Sequence, residues 1–318
     1  MVGAMTRRET IENNSRGMED TSATDVPSPT RAAELVAEGE RAEQLGALDR
    51  AILSFSEAAR SADPEIAAEA FARLADAHRS RAEWSDALSA ARRGQRVARA
   101  ANREVLYAHA LIAEGNVHMC RGEFREAKDI FEKVLTLTDD SVMRGHALQN
   151  MGSVLAQQGQ LGAAERAFAE SYGNFQRAGY RRGEATALNN YGRAALDRGD
   201  LALAADLLEQ AVDIAREVDH GELIALATLN LAEAKARSGD TEGAHHLASI
   251  ALGFFSGSGN RWREIEGLRL VGAINEQCGS LDDAARCYER GLRLAQELGA
   301  LTETGKLSEC LDKLRQRM

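Results

Sequence analysis

The sequence predicts an all-α protein: a helical solenoid of seven helix-turn-helix repeats followed by a C-terminal capping helix. Three observations carry this prediction. The only prolines are Pro27, Pro29 and Pro64, so the 254 residues after Pro64 contain no helix breaker of that kind. An alanine recurs as Ala51, Ala87, Ala127, Ala164, Ala204, Ala244 and Ala284, at spacings of 36, 40, 37, 40, 40 and 40 residues. A period of that length marks stacked helical hairpins. Aromatic residues are only 5% and charged residues 28% of the 318-residue chain, so the helices must pack through Ala, Leu and small residues rather than large rings. Length alone suggests about two domains, but a repeat array lengthens without thickening one core.

Residues 1–29 are polar, hold the Pro27-Ser28-Pro29 segment and show no helical apolar period, which predicts a disordered N-terminal segment. Residues 30–300 are expected to form the solenoid and 301–318 the capping helix. Each unit reads outward from its alanine. Five residues before it stands a turn residue: Gly46, Ala82, Gly122, Gly159, Gly199, Gly239 or Gly279. Glycine suits the left-handed conformation that ends a helix, and Ala82 departs from it. Twelve residues before the alanine is Gly39, Ala75, Gly115, Gly152, Gly192, Ala232 or Gly272. A mid-helix glycine costs about 1 kcal/mol against alanine, so its recurrence in register implies a close helix contact that offsets the loss.

Sixteen residues before comes Leu35, Phe71, Leu111, Leu148, Leu188, Thr228 or Leu268, and four after comes Phe55, Ala91, Phe131, Phe168, Leu208, Ala248 or Tyr288. These positions, Thr228 aside, are apolar knobs. Each unit is therefore two antiparallel helices of roughly 15 to 18 residues, too thin to hide its own apolar face without neighbours. Asp63-Pro64-Glu65 joins an N-cap, a first-turn proline and a first-turn acid, starting the second unit at Pro64. Gly179, Gly259 and Gly299 mark turns between units, so Ser256-Gly257-Ser258-Gly259-Asn260 is expected to end a helix rather than cradle a phosphate. Leu307, Leu311 and Leu314 form the single apolar stripe of the capping helix.

Leu188-Asn189-Asn190-Tyr191-Gly192, then Gly199-Asp200, Ala204, Leu208 and Ala211, is the clearest copy of a pattern that resembles the tetratricopeptide repeat family. The resemblance spans about residues 31–299. Its long units resemble those of kinesin light chains and of helical regions in bacterial signalling regulators. The second unit departs most, with Glu83-Trp84 at its turn and neither glycine, and the family's usual proline after the second helix is absent. The resemblance implies a right-handed superhelix whose first helices line a concave groove. It also implies a protein or peptide binder without catalysis of its own: a scaffold or adaptor, or alternatively a sensory module of a bacterial-type signalling pathway.

On the fifth unit's first helix, Leu188, Tyr191 and Ala195 share one face while Asn190, Arg193 and Asp197 lie about 160° away. The outward stripe recurs as Asn230, Glu233 and Arg237 in the sixth unit and as Asn150, Ser153 and Gln157 in the fourth. An asparagine amide offers a donor and an acceptor, matching the backbone of an extended peptide. The groove set is therefore Asn116, His146, Asn150, Gln157, Asn190, Arg193, Asp197, Asn230, Glu233, Arg237 and Arg269. The alternative is a solvated face, or ion pairs between neighbouring helices, which contribute under about 1 kcal/mol each. Arg92, Arg96, Arg99 and Arg103 form a second candidate stripe on the second unit's second helix, suited to an acidic partner or simply solvated.

The formal charge of −10 argues against nucleic acid or an anionic membrane surface as partner. Without an apolar run long enough to span a bilayer, or a signal sequence, a cytoplasmic location is expected. Cys120, Cys278, Cys287 and Cys310 show no metal spacing and are expected to be reduced and mostly packed. His78 and His118 are expected to pack between paired helices. The adjacent His245 and His246 point about 100° apart, unlike a metal-binding pair on one helix. No cofactor, metal or catalytic residue is expected, because HExxH, GxSxG and phosphate-loop motifs are all missing.

Overall fold

The structure, a computed structural model, describes residues 26–317. The greater part of the expected polar leader lies outside the described residues. Among them are fifteen α-helices and no strand. They are α1 (Pro29–Gln44), α2 (Leu48–Ala58), α3 (Pro64–Ser80), α4 (Trp84–Ala100), α5 (Glu104–Cys120), α6 (Phe124–Leu137), α7 (Ser141–Gln157) and α8 (Leu161–Ala178). The array continues with α9 (Arg181–Arg198), α10 (Leu201–Glu217), α11 (Gly221–Ser238), α12 (Thr241–Ser258), α13 (Arg261–Gln277), α14 (Leu281–Glu297) and α15 (Leu301–Arg315).

Local chemistry sets the helix ends. Ser28 caps α1, whose first residue is Pro29, and Asp63 caps α3 by accepting the Glu65 amide at 2.8 Å. Gly259 (φ 72°) ends α12 and Asn260 caps α13, so the Gly-Ser stretch is a helix-ending turn. Two helices fall short of the expected length: α2 has 11 residues and α6 has 14. They lie in the spans whose alanine spacings are 36 and 37, so the missing residues are about one helical turn. Pro64 disfavours helix in the residue before it, and Thr138 is extended (φ −136°) ahead of the Asp140 cap, so neither helix can run on.

The unit interior is a small-to-large fit. A Cβ on Gly115 would stand 2.5 Å from the Phe131 ring, and one on Gly39, Gly152 or Gly272 would meet Phe55, Phe168 or Tyr288 at 2.4 to 2.7 Å. On Gly192 it would meet Leu208 at 2.6 Å. In the two units where alanine replaces that glycine, at Ala75 and Ala232, the facing knob is also alanine, at Ala91 and Ala248. All of these knobs are buried. Apolar side chains gather into successive clusters along the array, as expected when each unit is supported only by its neighbours.

Every helix packs on its chain neighbours. Each odd-numbered helix also packs against the next odd-numbered one, whereas among the described residues the backbones of the even-numbered helices stand apart, α12 and α14 being joined by the Arg290–Ser256 side-chain hydrogen bond at 3.3 Å. The odd helices therefore form the crowded inner layer that lines the concave face, and α15 continues that layer.

Six turns inside the helix pairs have glycine at positive φ, from Gly46 (71°) to Gly279 (77°), but the second unit places Ala82 there at φ 58°. A Cβ in this region costs about 1–2 kcal/mol. Ala82→Gly is therefore expected to raise stability by about 1 kcal/mol, read as a higher melting temperature of the α3–α4 region. An unchanged or lower value would show that the turn bears no strain.

Candidate functional site: the inner groove at the C-terminal half

The inner faces of α9, α11, α13 and α15 enclose a cavity of about 510 Å³. It brings together six of the groove residues expected from sequence: Asn190, Arg193, Asn230, Glu233, Arg237 and Arg269. Asn116, His146, Asn150, Gln157 and Asp197 lie outside its walls. The cavity adds Asn189, Arg263, Glu266, Gln277, Glu303 and Lys306, with Leu226, Leu229, Leu270 and Ile274 as apolar floor. Five cationic side chains thus face three carboxylates inside a chain of net charge −10.

The asparagines do not stand free in one ladder. Asn230 is 8% exposed and donates its amide to Asn189 Oδ1 at 2.9 Å, while Asn189 donates to Asn190 Oδ1 at 3.3 Å. Asn150 donates to Asn116 Oδ1 at 2.7 Å. Adjacent inner helices lie close enough for polar side chains of successive units to meet, so the amides first satisfy one another. This corrects the expectation that Asn230 lies off the core: truncating it would leave Oδ1 of the buried Asn189 without its donor, at about 1–3 kcal/mol.

The charges also pair across units. Arg193 bonds Asp197 within α9 and reaches Glu233 of α11 at 2.9 Å. Burial alone would lower its pKa, but Glu233 and Asp197 outweigh that and hold it above the ordinary value. Arg237 donates to the Leu196 carbonyl at 2.7 Å, satisfying the last turn of α9, and lies 3.9 Å from Glu233. At the far wall Lys306 holds Glu303 Oε1 at 2.6 Å. Arg269 Nε and Glu303 Oε2 stand 3.7 Å apart, each buried and without a hydrogen bond. Polar atoms buried without a hydrogen bond are costly, and here the ion pair across α13 and α15 is what offsets that cost.

Glu303 and Lys306 follow Arg263 and Glu266 by forty residues and lie two helical turns before the register of the Asn190–Arg193 stripe, which falls in α15 on Cys310 and Lys313.

His146 packs edge-on against Phe175 (5.0 Å between centroids) and Tyr180 (5.8 Å). The Phe175 ring fills the slot left by Gly145 and Gly183. Burial, with His109 and Arg182 adding and Asp76 and Asp140 opposing, pushes its pKa from 6.5 down to about 4. The folded chain therefore refuses a proton that the unfolded chain accepts between those values, and stability falls as pH drops through that window. His146→Gln is expected to flatten the fall of melting temperature between pH 6.5 and about 4; a slope identical to wild type would overturn the assignment.

The arginine stripe divides into two neighbouring clefts, one lined by Arg92 and Arg96 and one by Arg99 and Arg103. Arg92 donates to Glu114 at 2.8 Å, and Arg103 lies beyond α4, at the N-cap of α5, paired with Glu65. Arg96 and Arg99 are exposed. His78 and His118 are not simply packed: their Nδ1 atoms lie 2.6 Å from Glu83 and Glu123. The cysteines are free thiols, but Cys120 and Cys278 are exposed because they fall at helix ends.

An all-α repeat solenoid with a charged inner groove defines the class. The tetratricopeptide repeat family profile matches residues 183–252. Among curated proteins, the regulatory protein AfsR of Streptomyces griseus is 27% identical over 274 residues, covering 74% of this chain and 28% of the relative. The chain thus spans little more than a quarter of that relative's length. A Rap protein solved with competence and sporulation factor superposes with a TM-score of 0.65 at 16% identity, covering 91% of this chain and 88% of that one. A signal transduction ATPase with a tetratricopeptide repeat sensor, from Pyrococcus horikoshii, superposes with a TM-score of 0.64 at 14% identity, covering 87% and 44%. Residues 183–252 thus carry tetratricopeptide repeats, and the described chain as a whole shares the helical-repeat fold of these structures. No helix among the described residues is long and apolar enough to cross a membrane.

Proposed function

We propose that the chain is a non-catalytic, cytoplasmic interaction module that binds a peptide or protein segment in its inner groove. The observation that carries this reading is the cavity of about 510 Å³ in which apolar floor, side-chain amides and an excess of cations converge. That mixture suits a short extended segment with an acidic side chain or carboxylate: the leucines take up its apolar atoms, the amides its backbone, and Arg237 and Arg269 its charge. The net charge of −10 favours a protein partner over nucleic acid. The domain reading is a leader over 1–29, the solenoid over 30–300 and the cap over 301–318.

A second reading, a sensory module, is favoured by the loose Arg269–Glu303 ion pair, because a ligand that competed for either side chain from the cavity would act on the contact between α13 and the terminal α15. The regulatory relative and the sensor-bearing ATPase support it as well. Capture from native cells by wild type, compared with an Arg237→Glu/Arg269→Glu variant, tests the groove. A partner retained equally by both would move recognition elsewhere, with exposed Arg96 and Arg99 the next surface to test. Solution scattering with and without the captured partner separates the readings: an unchanged solenoid radius marks a passive scaffold, a changed one a sensor.

A further inference from the structure

We propose that His78, Glu83 and Asp86 form a binding site for a first-row divalent metal ion of the zinc class. The three side chains come from both sides of one turn. His78 is in the last turn of α3, Glu83 is the N-cap residue of α4, and Asp86 is in the first turn of α4. One ligating atom from each can be chosen so that all lie within 4.8 Å of one another. Zinc bonds to imidazole and carboxylate of about 2.0–2.2 Å place tetrahedral ligands roughly 3.4 Å apart, so a small rotamer adjustment closes the set.

The donors suit that ion. Two carboxylates balance the double charge and the imidazole selects a transition metal over magnesium or calcium, which take oxygen. Arg81 holds Glu83 Oε1 at 2.8 Å, leaving Oε2, the atom 2.6 Å from His78 Nδ1, to turn toward the metal. Asp86 is exposed, which leaves a fourth position to water.

The next unit supplies an internal comparison. His118 repeats the pair with Glu123 at 2.6 Å, and Arg121 repeats the contact of Arg81. The register counterpart of Asp86 there is Glu126, in the first turn of α6, but that trio does not gather within the same distance, and the nearer acid, Glu114, lies 4.0 Å from the opposite ring nitrogen, Nε2. Among the described residues no other group of three such side chains gathers as closely as that of the second unit. It also spans the one intra-unit turn built on Ala82 instead of glycine. A bridging ion would hold closed the turn whose backbone is least suited to it.

The test is calorimetric titration of Zn²⁺ into the full chain, with melting curves in parallel and Co²⁺ as a spectroscopic probe. Wild type should bind one Zn²⁺ saturably and melt at a higher temperature with the ion than without it. Affinity should fall roughly tenfold or more in His78→Ala and in the conservative Asp86→Asn, and persist in His118→Ala. Circular dichroism checks that each variant folds. Because His245, His246 and Cys278 share a surface cleft, the Co²⁺ spectrum should lack a thiolate charge-transfer band. No saturable binding, binding that survives both His78→Ala and Asp86→Asn, loss in His118→Ala alone, or a thiolate band would each overturn the proposal.

Discussion

Replacing Phe131 with alanine is expected to cost about 3–5 kcal/mol, the usual loss when a fully buried ring is truncated and its cavity cannot collapse. Phe131 is 0% exposed and its ring lies over the backbone of Gly115. Gly115→Ala alone is expected to cost about 1–3 kcal/mol through overpacking, less the helix propensity that alanine regains. Combining the two recreates the Ala75–Ala91 and Ala232–Ala248 arrangement found elsewhere in the chain. The double variant should therefore be more stable than Phe131→Ala alone, with a coupling of at least about 0.5 kcal/mol. Urea unfolding, with amide exchange followed in α5 and α6, measures this. Strict additivity would show that the ring and the glycine do not fit one another. Exchange is needed because neighbour-supported units need not unfold in one step.

The second large effect concerns binding. With the captured partner in hand, Arg237→Glu/Arg269→Glu should weaken association at least about thirtyfold, since losing a charge from a desolvated pair costs about 2–5 kcal/mol. The Arg237→Gln/Arg269→Gln variant separates charge from folding. Its side chains can still donate, to the Leu196 carbonyl in the first case, but carry no charge, so its affinity should fall between wild type and the reversal. Fluorescence titration at two salt concentrations reads both quantities, and the reversal should also lose salt dependence. Equal affinity in wild type and a properly folded reversal would remove these arginines from the binding surface.

The pairing of small and large residues was legible in the sequence, because glycine at one position predicts Phe, Tyr or Leu sixteen residues later and alanine predicts alanine. The inner stripe was legible as a direction around each helix, and six of its members line one cavity. What a helical period cannot express is the distance to the next helix. Asn230 points inward along the groove yet is buried against Asn189, and Arg193 reaches Glu233 across a unit. Glu303 and Lys306, like Arg263 and Glu266, escaped because they stand two helical turns before the Asn190–Arg193 stripe in the repeat register. The stripe of four arginines was misjudged at one end, where the chain leaves α4 before Arg103.

The separation of the even-numbered helices from one another bears on how such a chain can change over time. An outer helix packs its backbone only on its two chain neighbours, whereas an inner helix must also keep step with the inner helices before and after it. Loss of a turn from an outer helix is therefore absorbed locally, while the same loss inside would shift every later groove residue. The two short helices, α2 and α6, are both outer ones. Insertions and deletions accumulated by descent should concentrate there, leaving the groove as the slowest-drifting part of the molecule.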